Sequence, residues 1–342
     1  MNFHLIKKII SHQPLRFIAK SIRNIYFPPK PAIDIKKTIA IEVSSICNAR
    51  CIFCAYKLGY RSKTIMKLED FKKISESATK LGYEYLDLTS PGGELFMHKD
   101  AIEIIKTAKD VGFKHIGTFS NGILIHRFSA EDLLTSGIAA LLISFPGFTA
   151  DIYQEIFGVM KFDEFRKSIV ELLETHKKIN SEVFIIFEPR TYLTLKQIKE
   201  SVFYQDFVSQ FVSDKVRITE PLRVFDSWGG EIRQKDLIKG MKVDRNPLKS
   251  IYPLKKVFLC VRLLSIGVVA NGDVRLCNCR YDSTIETEKD SLCIDNIRNY
   301  ESFRDLMIRN ENKISKIKSD FIHGKLPALC KKCPFYIPIK MS

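Results

Sequence analysis

Between Thr38 and Thr219, short runs of β-branched and aromatic residues alternate with stretches whose apolar positions recur every three or four residues. This alternation predicts repeated βα units around a parallel sheet. Strands are expected at TIAIEVS (Thr38 to Ser44), YEYLDL, HIGTFS, AALLISF, EVFIIFEP and KVRIT. Helices are expected in KLEDFKKISESATKLG, from Asp100 to Gly112, in SAEDLLTSG, from Lys161 to Lys178 and from Leu195 to Phe211. Gly82 is placed to close the first helix, and Asp100 with Glu103 has the spacing of a capping box. Six units over residues 38–219 fall short of the roughly eight of a closed barrel. The predicted fold is therefore α/β, a partial (β/α)6 TIM-like barrel, with ligands gathering at the carboxyl ends of its strands.

After Thr219 the pattern breaks. Pro, Gly and Arg become frequent through EPLRVFDSWGGEIRQ, and no helical period returns before Tyr300 to Asn310, so residues 220–259 read as a bridge. Residues 260–342 hold Cys260, Cys277, Cys279, Cys293, Cys330 and Cys333 and read as a small cysteine-rich, metal-stapled domain. Residues 1–37 are separate again: Leu15, Ile18, Ile22 and Ile25 lie at helical spacing among Lys7, Lys8, Arg16, Lys20 and Arg23. Such a basic amphipathic segment either packs on the open side of the barrel or makes a peripheral membrane contact.

Composition narrows the function classes. The chain has 342 residues, 45% hydrophobic and 27% charged, which is ordinary for a folded protein. It lacks an apolar run of the roughly eighteen residues that a membrane span needs. Its N-terminus lacks a secretory signal, so a cytoplasmic, reducing setting is expected, where nine cysteines point to metal or catalysis before disulfides. The formal charge of +15 is spread along the whole chain and fits a solvated basic surface as well as an acidic partner. No aromatic-basic interleaving of a nucleic-acid motif accompanies it, so no nucleic-acid partner is expected and a zinc-stapled nucleic-acid-binding protein is a remote alternative.

The chemistry is concentrated in VSSICNARCIFCAY, Val43 to Tyr56, where Cys47, Cys51 and Cys54 stand without a fourth cysteine nearby. A structural zinc takes a closed tetrahedron of protein ligands, which three cysteines leave incomplete. A four-iron cluster on three cysteines instead keeps one iron open to a ligand. The spacing Cys47-x3-Cys51-x2-Cys54, with Phe53 before the last cysteine, resembles the signature of radical S-adenosylmethionine (SAM) enzymes. That resemblance implies a SAM-binding [4Fe-4S] cluster, reductive cleavage of SAM to a 5'-deoxyadenosyl radical, and an electron donor such as flavodoxin or ferredoxin. It also assigns TSPGGELFMHKD, after the second strand: Gly92, Gly93 and Glu94 match the stretch that holds the methionine ammonium, although Leu95 replaces the usual proline. Asn121, in Ser120-Asn121-Gly122, and Ser144 match positions that contact the adenosine and ribose.

Cys260 and Cys277 bracket IGVVANGDVRL, where Asn271-Gly272 signals a hairpin that places Cys277 opposite roughly Ile266. With Cys330-x2-Cys333 they offer four metal ligands, and spacing alone leaves zinc and a cluster both open. Following the radical SAM motif, the layout resembles the SPASM/twitch domain, which implies one auxiliary [4Fe-4S] cluster. The resemblance extends over Thr38 to Pro334, including Trp228-Gly229-Gly230 and Asp295-Asn296-Ile297. Cys279 is an alternate ligand or an extra thiol, and Cys293 a buried small hydrophobe. The family implies hydrogen abstraction followed by oxidation of a small polar or sugar-like metabolite, with the auxiliary cluster taking the electron. A peptide or protein maturase is the alternative, which the shortness of the 37 residues before the first strand weakens. Arg190, Arg217 and Arg223 are candidates to clamp an anionic group, and Glu188 or Glu220 to accept a proton.

Overall fold

The computed structural model describes residues 37–244, 258–278, 283–331, 333 and 338–340. The N-terminal basic segment, residues 245–257 of the bridge, Cys279 and Pro334 lie outside the described residues.

The six predicted strands form: β1 (Thr38–Ile41), β2 (Tyr85–Asp87), β3 (His115–Ser120), β4 (Ala140–Phe145), β5 (Phe184–Pro189) and β6 (Val216–Ile218). They pair in sequence order and all in parallel, giving the partial barrel. In β3, β4 and β5 burial alternates residue by residue. Ile116, Leu141, Ile143, Phe145, Ile185 and Phe187 are buried against helices, whereas their half-exposed neighbours, such as Phe119, Leu142 and Glu188, face the lumen.

The helices Leu68–Lys80, Ala101–Asp110, Ala130–Thr135 and Phe162–Lys178 follow the predicted order. Gly82 and Gly112, at φ 88° and 104°, take the left-handed conformation that ends the first two. Asp100, however, makes no capping bond. Its N–H instead donates to His98 Nδ1 (3.0 Å), while Nε2 of that ring donates to Met66 O (2.8 Å).

The single helix expected over Leu195 to Phe211 is two short ones, Leu195–Lys199 and Val202–Asp206, followed by a 3-10 turn. Ser201 Oγ donates to Ile198 O (2.7 Å), so a hydroxyl takes up a carbonyl at the break. Three helices, Ala150–Phe157, Glu311–Ile322 and the single-turn Ala328–Lys331, form among the described residues where none was expected.

The larger difference lies beyond the bridge, which contributes the short parallel pair β7 (Val224–Phe225) and β8 (Lys242–Val243). Further on come β9 (Phe258–Cys260), β10 (Ile266–Val268), β11 (Asp273–Leu276) and β12 (Cys293–Asn296). Strand β10 pairs in parallel with β1, Ile266 beside Ile39, so β10, β11 and β12 extend the barrel sheet to nine strands. The cysteine-rich region thus continues the barrel's own hydrogen bonding. Leu276, not Cys277, lies opposite Ile266. Cys277 is one residue beyond, at φ 65°, with its N–H on Ser265 O (3.4 Å). Among the described residues no helix is long and apolar enough to cross a membrane.

Candidate radical SAM site

The loop after β1 is closed at its base by backbone bonds, Ser45 N to Thr64 O (2.9 Å) and Met66 N to Val43 O (2.9 Å). Ser45 Oγ adds a bond to Ser62 O (2.7 Å). Further along, Arg50 N and Ile52 N donate to Phe157 O and Ile156 O, both at 2.9 Å, tying the loop to the end of helix Ala150–Phe157. Gly158 (φ 66°) ends that helix, and a Cβ there would sit 2.8 Å from Arg50 O. Phe53 stacks on Phe225 at 4.7 Å, and its carbonyl accepts from Trp228 Nε1 (2.8 Å). The backbone that carries the cysteines is therefore held on three sides.

Cys47, Cys51 and Cys54 are half-buried. Burial, followed by Glu94, pushes Cys47 up to about 12; burial and the other two thiols raise Cys51, and burial raises Cys54. The thiols thus share one neighbourhood in which three negative charges are costly without a cation. Among the described residues, no three cysteine, histidine or carboxylate groups converge on a single-ion site. As three soft thiolate donors on one loop, Cys47, Cys51 and Cys54 fit an iron-sulfur cluster.

Gly93 lies flat against the end of β1: a Cβ would be 1.9 Å from Ser44 O. Glu94 N donates to Ile46 O (2.9 Å), completing the contact between the glycine loop and the cysteine loop. The Glu94 carboxylate is buried and turned inward, accepting from Ser120 Oγ (2.9 Å) and Asn121 N (2.9 Å). Burial raises its pKa to about 7 against these bonds. Glu94 thus joins the loop after β2 to the loop after β3. Asn121 Nδ2 bonds Asn48 Oδ1 (2.8 Å) and lies 3.7 Å from Cys47 Sγ. Ser144 faces the lumen beside Glu188 in register.

Arg190 and Glu188 pair at 2.7 Å, and the guanidinium lies over the rings of Phe53 (5.8 Å) and Phe119 (5.6 Å). Arg217, Arg223 and Glu220 are exposed and take no part in this group. Cys260, Cys277, Cys330 and Cys333 are buried, and the first three belong to the main core. Cys293 is half-buried rather than buried.

Sequence reasoning missed the lumen itself. A cavity of about 1150 Å³ runs inside the barrel from Thr89 and Phe119 near the strand ends to Thr38, Lys114, His115 and Arg262 at the strand starts. Asp87 lies half-buried on its wall, with its pKa raised by loss of solvent around the carboxylate against bonds from Thr89 and the charge of Arg262. Arg262 Nε is buried without a hydrogen-bond partner. The available signals were faint: an acid inside a short apolar strand, and an arginine two residues after a cysteine.

Residues 41–193 match the Radical SAM superfamily. The chain is 21% identical over 321 residues to a protein named "Probable GTP 3',8-cyclase" from Methanothermobacter thermautotrophicus, covering 88% of this chain and 96% of that one. Among solved structures it is similar to BtrN in complex with AdoMet and 2-DOIA (TM-score 0.53, 16% identity, 87% of this chain and 92% of that one). Streptococcus suis SuiB bound to its precursor peptide SuiA is also similar (TM-score 0.53, 13% identity, 96% and 75%). The loop with three cysteines, the glycine contact beneath it and the partial barrel around it together make residues 41–193 a radical SAM domain, which gives an enzyme whose cofactors are SAM and a [4Fe-4S] cluster.

Proposed function

We propose that the protein oxidises a small polar or sugar-like metabolite bearing an anionic group, held in the barrel lumen between two iron-sulfur sites. The observation that carries this reading is the cavity's position. Its upper end is separated from the cysteine loop by Phe119 and Arg190, and its lower end reaches Arg262, two residues from Cys260.

Cys47, Cys51 and Cys54 would hold a cluster that with SAM would supply a radical able to take a hydrogen atom from the substrate, and Cys260, Cys277, Cys330 and Cys333 would hold a second cluster able to accept the electron that the substrate then loses. The chain's own residues orient the substrate and handle the proton. The backbone of Gly92 and Gly93, with Asn121 and Ser144, lines the SAM side. Arg262 pairs with a phosphate or carboxylate at the lower end. Asp87 takes the proton released with the electron, since its raised pKa makes it a stronger acceptor than an exposed carboxylate. Tyr85, His115 and Phe119 give the wall an aromatic surface for a ring.

A cavity of this size inside the barrel suits a metabolite better than an extended peptide. GTP, which appears in the relatives' name, belongs to the same class of anionic sugar derivatives. The test is 5'-deoxyadenosine release by the anaerobically reconstituted protein with dithionite and SAM, in the presence of sugar phosphates, nucleotides or short peptides. Stimulation by a phosphorylated compound, lost in Arg262→Met while unstimulated cleavage persists, supports the reading. Stimulation by peptides alone overturns it in favour of a maturase.

A further inference from the structure

Glu42, the residue after β1, is fully buried, yet its carboxylate is ionically paired. Arg61, beyond the cysteine loop, donates from Nη1 to Glu42 Oε1 at 2.7 Å and from Nη2 to Oε2. The same guanidinium reaches Glu286 Oε1 from Nε at 2.9 Å and from Nη2 at 2.8 Å. Glu286 Oε2 accepts from Ser62 N (3.0 Å) and Oγ (2.8 Å), and Glu42 Oε2 accepts from Ala270 N (3.1 Å). Burial works against the charge on Arg61, but the two carboxylates outweigh it and raise its pKa above the ordinary value. Glu286 has φ 60°, a region that non-glycine residues seldom enter, and its side-chain bonds hold it there.

These groups come from four segments: the end of β1, the return of the cysteine loop, the turn of the β10–β11 hairpin, and the stretch before Cys293. A buried network with two carboxylates on one guanidinium is a poor source of stability and a good means of fixing geometry. The hairpin gives that geometry a purpose. Its turn, at Ala270, is pinned beside the cysteine loop, and its open end carries Cys277, with Cys260 one 3-10 turn away from β10. Since β10 runs parallel to β1, its turn and its open end lie toward opposite ends of the lumen.

We infer that Arg61 is a positioning residue: by locking the cysteine loop to the turn of the β10–β11 hairpin, it makes that hairpin a rigid spacer between the two cysteine sets. The mechanical part of this inference stands on the hydrogen bonds alone. Its consequence for cluster separation rests on the function proposed above.

The test has two readouts on the full chain. In the metal-free protein, amide hydrogen exchange is followed in wild type, Glu286→Gln and Arg61→Met. Glu286→Gln is expected to speed exchange about tenfold in residues 45–64, far from its own position in sequence. Arg61→Met is expected to do so in both 45–64 and 266–277, and the double variant to add nothing beyond Arg61→Met. In the reconstituted protein, electron paramagnetic resonance reports the dipolar interaction between the two reduced clusters, which should show a narrow distance distribution in wild type and a broadened one in Arg61→Met. Exchange changes confined to each substitution's own segment, or an unaltered dipolar spectrum, overturn the inference. Should Arg61→Met fail to fold, the nearly isosteric Glu286→Gln carries both measurements. A wild type that takes up only one cluster refutes the proposed function, and the exchange experiment still decides the coupling.

Discussion

The two cysteine regions are built by opposite strategies. Cys47, Cys51 and Cys54 fall within eight residues on one loop whose base is closed by its own backbone pairing. Cys260, Cys277 and Cys330 come from distant parts of the chain and are buried in a core shared with the barrel, and Cys333 is buried as well. The loop needs only local structure to bring its sulfurs near one another, so its chemistry survives as a short motif. The second set needs the whole C-terminal region in place and depends on β10 having found β1. The difference suits their proposed roles: a reactive site whose ligands stay together, and an electron acceptor whose position is set by the fold.

The sharpest way to break this comparison is to remove one set of ligands at a time. Replacing Cys47, Cys51 and Cys54 by alanine should abolish 5'-deoxyadenosine formation while the iron bound by the second set persists. Replacing Cys330 and Cys333 should leave substrate-free SAM cleavage but end substrate oxidation. Iron analysis with product chromatography reads both, and loss of all iron in either variant would mean that the two sites are not independent.

A second test addresses the support beneath the loop. The Cβ of Gly93→Ala would meet Ser44 O at 1.9 Å, and because both partners are backbone the clash cannot be relieved by a rotamer change. We expect a loss of about 4 kcal/mol in denaturant unfolding. An unchanged midpoint would show that the glycine loop does not pack on β1 as described.

The third concerns Glu94, whose folded-state pKa of about 7 lies above its ordinary 4.5. The folded protein therefore binds this proton more tightly than the unfolded chain does. Its stabilising contribution is complete below about pH 4.5, fades as pH rises and is lost through about pH 7, a change of about 3 kcal/mol. Unfolding of the metal-free protein across that range should show the slope, and Glu94→Gln should flatten it.

The smallest effect is expected at Trp228, whose Nε1–H bond to Phe53 O links the bridge to the cysteine loop. Trp228→Phe keeps an aromatic side chain, though a smaller one, and loses the bond, at a cost of about 1 kcal/mol for the bond. Thermal melting measures it.

Much of the barrel was legible because its signals are local. The alternation in HIGTFS and AALLISF, the glycines that end the first two helices and the eight-residue cysteine loop all report on neighbours in sequence. The capping box at Asp100 failed because a histidine ring outside the helix took the backbone donor, which no spacing rule contains. The Leu195 to Phe211 helix failed because apolar periodicity does not register a serine hydroxyl competing for a backbone carbonyl. Arg61 and Glu286, 225 residues apart, left no trace as a pair.

The sequence by itself determined that this is a βα-repeat protein with three thiols on the first strand-end loop and a glycine pair after the second strand, since each follows from periodicity and short spacing. Only the tertiary structure decided that the C-terminal hairpin joins the barrel's own sheet, that Asp87 and Arg262 share a lumen, and that a buried arginine binds the two cysteine regions together. Those outcomes depend on strand pairing and charge burial between distant segments, and such energies exist only once the chain has closed on itself.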